Sequence, residues 1–334
     1  MKTRLTLCIM MLSMMGLTAQ AQQNVSIKPG DDVVGIIQTV TDFDSVITFA
    51  AGHYKVTPKA DATGRPDLMR LPSGTTIRGA GSGMDPSTAT IIDCGFAFDS
   101  AIKIDDNVDG LIVENITLIN TIDAALEFDT GSFDNTFNNV WALKTGDNTV
   151  DINGAAEATF NFCVFGWSSA DAVNLADTSY AVFTNCDIFL GSSDIVQAAG
   201  SSEGVFRNCI FYAGPGSNDL ESAGFITVVN CIGWDPLDGD APGITATLMG
   251  RLDLNGGAVF MDANSLGEDP LYVAPPGMGF TAKTMDLHLQ EGSPALTVGS
   301  TSFNELQEAT GNPTFAGSQG LAQAPVQVFH WSVF

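Results

Sequence analysis

The sequence predicts an all-β chain wound as a parallel β-helix, a solenoid of 22 to 24 residues per coil. Three observations carry that prediction. Cys163, Cys186, Cys209 and Cys231 recur at steps of 23, 23 and 22 residues, in frames such as Asn185-Cys186-Asp187-Ile188 and Asn208-Cys209-Ile210-Phe211. A second apolar series, Ile102, Leu126, Val150, Val173, Val196 and Leu220, keeps the same period. The stretches between are short runs of Val, Ile, Phe and Thr broken by Gly, Asn, Asp and Ser, with almost no helical periodicity. Such a period belongs to a solenoid, and the leucine-rich-repeat frame is missing. Three strands with their turns consume about 22 residues, and neighbouring coils stack at about 4.8 Å.

The elements follow in chain order. Lys2 and Arg4, the apolar run Leu5 to Leu17 and Ala19-Gln20-Ala21 have the form of a signal peptide over residues 1–21, cleaved near Ala21. That run is too short to span a bilayer, which takes about 20 residues. The expectation is an exported chain, secreted or held at the cell surface, beginning near Gln22. Residues 22–80 form an N-terminal cap and the first coils. Asp31 to Ile37 is a short amphipathic capping helix, and strands are expected at about 45–50 and 54–56. A cap of this kind keeps the open edge of a helical sheet from pairing with another chain. The β-helix is expected over 81–300 and a C-terminal tail over 301–334.

Within the coils, identical positions form columns. Free, buried cysteines suit an inward column, because every coil poses the same packing problem. Stepping back from Cys163 reaches Val140, Ile116 and Cys94. Asn115, Asn139, Asn185, Asn208 and Asn230 read as a turn column, since Asn tolerates left-handed backbone and stacked amides hydrogen-bond along the axis. Asp123, Asp147, Asp171, Asp194 and Asp219 mark a second set of turns.

Composition limits the partners. Thirty-eight acidic residues face 13 basic ones, a net charge of -25, while 45% of the chain is apolar. The acidity therefore sits on a folded body. Nucleic acid and anionic membranes are not expected partners, because binding them needs basic surface.

The Asn-Cys-x-Phe and Asp-Ala-Val-x-Leu frames, over roughly residues 70–235, resemble the right-handed parallel β-helix proteins of the pectate-lyase-like superfamily. The opening segment Leu71 to Gly81 and the closing segments Asp269-Pro270-Leu271-Tyr272 and Asp286-Leu287-His288-Leu289 resemble the ends of secreted bacterial members. The resemblance implies the right-handed fold; for activity it is weak, since that fold hosts lyases, hydrolases, epimerases and inert solenoids.

Alternation puts Lys103, Glu127, Asp151, Asn174, Gln197 and Glu221 in one outward column, with Asp105, Asp129 and Asn153 beside it. Glu127, Asp129 and Asp151 are the candidate metal ligands, for Ca2+. Lys103 and Asp151 are the candidate catalytic pair for calcium-assisted β-elimination on an acidic extracellular polysaccharide, a reaction needing a lysine or arginine base of lowered pKa. The plain alternative is a solvated acidic face. Polygalacturonase-like hydrolysis is not expected: Asp147, Asp171 and Asp194 occupy comparable turns, but the Gly-His-Gly and Arg-x-Lys of those enzymes are missing. Phe189, Tyr212 and Trp234 stack in one column and are the candidate sugar platform, or else simply an aromatic ladder. Two function classes therefore stand: a polysaccharide-binding or lyase-like protein, and a non-enzymatic surface or matrix solenoid acting as adhesin or scaffold.

Overall fold

The computed structural model describes residues 22–59, 66–212, 218–235, 252–253, 257–262, 264–277, 285–302 and 313–319. The expected signal peptide, His330 and most of the expected tail lie outside the described residues.

Three parallel sheets run the length of the molecule. The first stacks Asn24–Ile27, Val46–Phe49, Thr76–Arg78, the opening halves of Ile112–Thr121 and Asn135–Thr145, then Glu157–Asn161, Tyr180–Thr184, Glu203–Arg207, Phe225–Val229 and Ala258–Met261. The second stacks Met69–Arg70, Ile102–Ile104, Leu126–Phe128, Val150–Ile152, Val173–Leu175, Asp194–Ala198, Asn218–Ser222 and Leu252–Asp253. The third holds Gly52–Lys55, Thr90–Asp93, the closing halves of the two long strands, Val164–Ser168, Asp187–Phe189, Ile210–Tyr212 and Ile232–Trp234. The apolar series from Ile102 to Leu220 lies in register on the second sheet and is fully buried.

The corner between the first and third sheets is the asparagine column. Asn115, Asn139, Asn185, Asn208 and Asn230 all have φ of 54–57°. Asn pays little for this left-handed conformation and its amide bonds along the stack. Asn139 donates to Asn115 at 2.8 Å, Asn208 to Asn185 at 3.2 Å and Asn264 to Asn230 at 3.4 Å. Phe162 takes the same corner at φ 55° and interrupts the ladder.

Behind each corner the cysteines point inward. Cys163, Cys186, Cys209 and Cys231 are wholly buried and free, as is Cys94. Each thiol in the column meets the carbonyl of a residue one coil back: Phe137, Phe160, Phe183 and Phe206, at 3.5–3.6 Å. Those phenylalanines are themselves in register, with ring centroids 5.0, 4.8 and 4.6 Å apart. Cys94 does not continue the column. Ile91 pairs with Thr117, so the residue beside Ile116 is Thr90, and the step back to Cys94 falls four residues short. The longer coil between Thr90 and Ile116 hides this register from simple counting.

The short helix expected near the N-terminus is present. Asp32 accepts the Gly35 N–H at 2.9 Å and starts a helix over Val33–Ile37, whose Val33, Val34 and Ile37 bury against the core. The C-terminal end departs from expectation. Among the described residues the last parallel pairings are that of Ala258–Met261 and a bridge from Ile232 to Leu266, short of residue 300. Tyr272–Ala274 and Asp286–Leu289 then form an antiparallel hairpin, followed by a helical turn at Ala295–Val298 and a pairing of Gly299–Ser300 with Pro313–Thr314. This segment lies along the outer surface of the third sheet and closes a second hydrophobic cluster with it, built from Ile119, Val164, Phe189, Ile210 and Ile232 against Tyr272, Leu287, Leu289 and Val298.

Candidate functional site

The outer face of the second sheet carries the polar column read from sequence. Register places Lys103, Glu127, Asp151, Asn174, Gln197 and Glu221 on successive strands, with Arg70 one coil before them. The short strands expose their middle residue because its neighbours are committed to the core, as in Ile102-Lys103-Ile104 and Leu126-Glu127-Phe128.

These groups are already bonded to one another. Lys103 Nζ donates to Glu127 and lies 3.2 Å from Asp129. Ser100 Oγ donates to the other Glu127 oxygen at 2.5 Å. Asp151 accepts from Asn153 at 3.0 Å and from Asn174 at 2.7 Å, one bond to each oxygen. Arg70 reaches Asp105 at 2.6 Å and Asp67 at 2.6 Å. Sequence reading missed Arg70 and Ser100. The long coil between Arg70 and Lys103 conceals the first, and the second needs knowledge of the turn preceding Ile102.

Electrostatics follows from this bonding. Burial pulls the Lys103 ammonium down, but Glu127 and Asp129 outweigh it and its pKa stands above the ordinary lysine value. That is opposite to what a lysine base requires. Burial raises Asp151, partly offset by Asn153 and Asn174. Asp123 and Asp171 are pushed up to about 6, by burial first and then by neighbouring carboxylates.

The expected calcium ligands do not fit a cation as arranged. The Lys103 ammonium stands between Glu127 and Asp129, and each Asp151 oxygen already accepts one amide N–H. Among the described residues no three His, Cys, Asp or Glu side chains converge as a metal site. The aromatic platform requires correction. Phe189, Tyr212 and Trp234 do stack outward in register on the third sheet. The C-terminal segment covers them: Phe189 is 0% and Tyr212 6% exposed, and Tyr212 packs 5.8 Å from Tyr272. Nor are they beside the acidic column, which belongs to another sheet. His53 pairs with Asp93, and His288 with Asp286, both away from that column.

Residues 84–235 match the family described as the right-handed beta helix region. No curated protein matches the chain. Among the described residues no helix is long and apolar enough to cross a membrane.

Proposed function

Given that this chain is a right-handed parallel β-helix protein, of the kind usually assigned to the pectate-lyase-like superfamily, we propose that it is exported and binds an extracellular polysaccharide along the outer face of its second sheet. The observation that carries this reading is the unbroken polar column from Lys103 to Glu221, one side chain per coil. A linear ligand laid along the axis meets a carboxylate or amide at every step of about 4.8 Å. Sugar hydroxyls both donate and accept, so they suit alternating carboxylates and amides. The Asn174 Oδ1, buried and without a partner, offers one further acceptor there. Binding, rather than lyase chemistry, is the reading because Lys103 is held charged by Glu127 and Asp129. An acidic chain would meet a like-charged surface, and calcium would have to displace Lys103 to bridge the two.

The test is a polysaccharide panel, neutral and acidic, with and without Ca2+, following affinity electrophoresis and the absorbance of unsaturated products together. The expected result is retardation by at least one polymer without product formation. Asn174→Ala combined with Gln197→Ala weakens it about tenfold or more, from two lost hydrogen bonds. Unsaturated product that vanishes in Lys103→Met would restore the lyase. No retardation by any polymer would leave the scaffold.

A further inference from the structure

A cavity of about 270 Å3 opens between the third sheet and the C-terminal hairpin, well away from the acidic column. Trp141, Met84, Met285 and Leu287 form its apolar walls, and Asn139 and His288 its polar side. Two features set it apart from ordinary packing space. The first is Trp141. It is 9% exposed, and its indole N–H is buried with no acceptor. Trp167, on the next coil, donates to the Gly277 carbonyl at 2.8 Å. A buried donor without a partner is rare, and at a cavity wall it marks a place for a ligand oxygen. The second is His288. Its Nδ1 lies 2.7 Å from Asp286 Oδ1, and the same oxygen accepts the His288 backbone N–H at 3.0 Å. A proton on Nδ1 shared with that carboxylate leaves Nε2 as an acceptor.

We propose that this cavity binds one neutral pyranose ring, its apolar face on the Trp141 and methionine wall, one hydroxyl accepting from Trp141 Nε1 and one donating to His288 Nε2. A hydroxyl group can fill both roles, which a purely apolar ligand cannot. The size selects a single ring, because cavities for larger ligands run roughly 300–1,000 Å3. The indole N–H is buried, so a ligand oxygen reaches it only when the wall shifts, and the flexible Met84 and Met285 side chains line that wall. The Asp286 carboxylate at the wall, on a chain of net charge -25, selects against a uronate. This proposal does not depend on the reading of the second sheet, and the residues it tests are different ones.

The experiment records the 15N-labelled indole resonances of the chain starting at Gln22. The probes are methyl glucopyranoside, methyl galactopyranoside, methyl mannopyranoside and galacturonate. Trp141→Phe assigns the Trp141 signal. The expected result is a saturable downfield shift of that one signal with at least one neutral glycoside, and none with galacturonate. His288→Gln weakens binding about tenfold, the worth of one hydrogen bond. A tetrasaccharide of the same sugar, binding with equal affinity, identifies a chain end as ligand; much weaker binding identifies the free sugar. The proposal is overturned if no neutral glycoside moves the Trp141 signal, if galacturonate binds as well, or if His288→Gln leaves the affinity unchanged. His288 is only partly buried, so that variant keeps the test sound even where Trp141→Phe folds poorly.

Discussion

At the scale of single residues, the corner asparagines combine two jobs that few side chains can share. Asn208 sits at φ 54°, accepts the Ser300 N–H at 2.8 Å and donates to the Ser300 carbonyl at 2.8 Å. It thereby ties the solenoid corner to the C-terminal segment. Asn208→Gly keeps the conformation and loses only the bonds; Asn208→Ala loses both. Chemical denaturation should show Asn208→Ala less stable than Asn208→Gly by about 1 kcal/mol, and less stable than the parent by about 2–4 kcal/mol. Equal stability of the two variants would mean the left-handed corner costs nothing. The cysteines have the simpler role of filling space. Burial holds the Cys94 and Cys186 thiols above the usual value, so they are poor nucleophiles. Thiol titration of the chain from Gln22 should find almost none reactive in the native state and about five after unfolding, following the burial habit of free Cys. Native disulfides would refute the packing role.

At the scale of elements, the third sheet differs from the second in being covered. Phe189 is seated where Gly166 leaves room: a Cβ on Gly166 would stand 2.3 Å from the Phe189 ring. Phe189→Ala should cost about 3–5 kcal/mol and speed proteolysis of the C-terminal segment. A solvent-facing platform residue would cost within about 0.5 kcal/mol. This contrast also explains what was legible in the sequence. The coils, the corner column and the inward column could be read because their spacing is nearly constant and each has one chemical requirement. Lys103, Glu127 and Asp151 could be placed outward because each lies between two core residues. That Lys103 satisfies two of the carboxylates could not be read, since it depends on side-chain reach across coils. The fate of Phe189, Tyr212 and Trp234 has a local sequence signal. In Ile210-Phe211-Tyr212 both faces of the strand are apolar, the pattern of a sheet buried on both sides. The covering segment itself has no repeat, so periodicity could not reveal it.

At the scale of the whole molecule, the solenoid joins each coil only to its neighbours, and charge acts across all of them. Asp187 fastens the C-terminal segment to the middle of the third sheet. It is fully buried, accepts the Tyr272 hydroxyl, and accepts the Ser318 N–H at 2.6 Å. Burial outweighs these bonds and raises its pKa from 3.8 to about 6. Asp123 and Asp171 stand at about 6 as well. Each of these carboxyls holds its proton more tightly folded than unfolded. Its stabilising share is present below about pH 4 and is lost as pH rises through about 6, for Asp187 amounting to roughly 3 kcal/mol. Acidification also lowers the repulsion carried by the net charge of -25. The melting temperature should therefore rise as pH falls from 7.5 to about 5. Asp187→Asn, whose amide oxygen still accepts from Tyr272 but whose NH2 then faces the Ser318 N–H, should flatten the dependence. Salt should raise the parent's melting temperature more at pH 7.5 than at pH 5, because screening matters most when the carboxylates are charged. A melting temperature that falls steadily from pH 7.5 to 5, or an Asp187→Asn profile parallel to the parent's, would show that Asp187 is not held protonated by the fold.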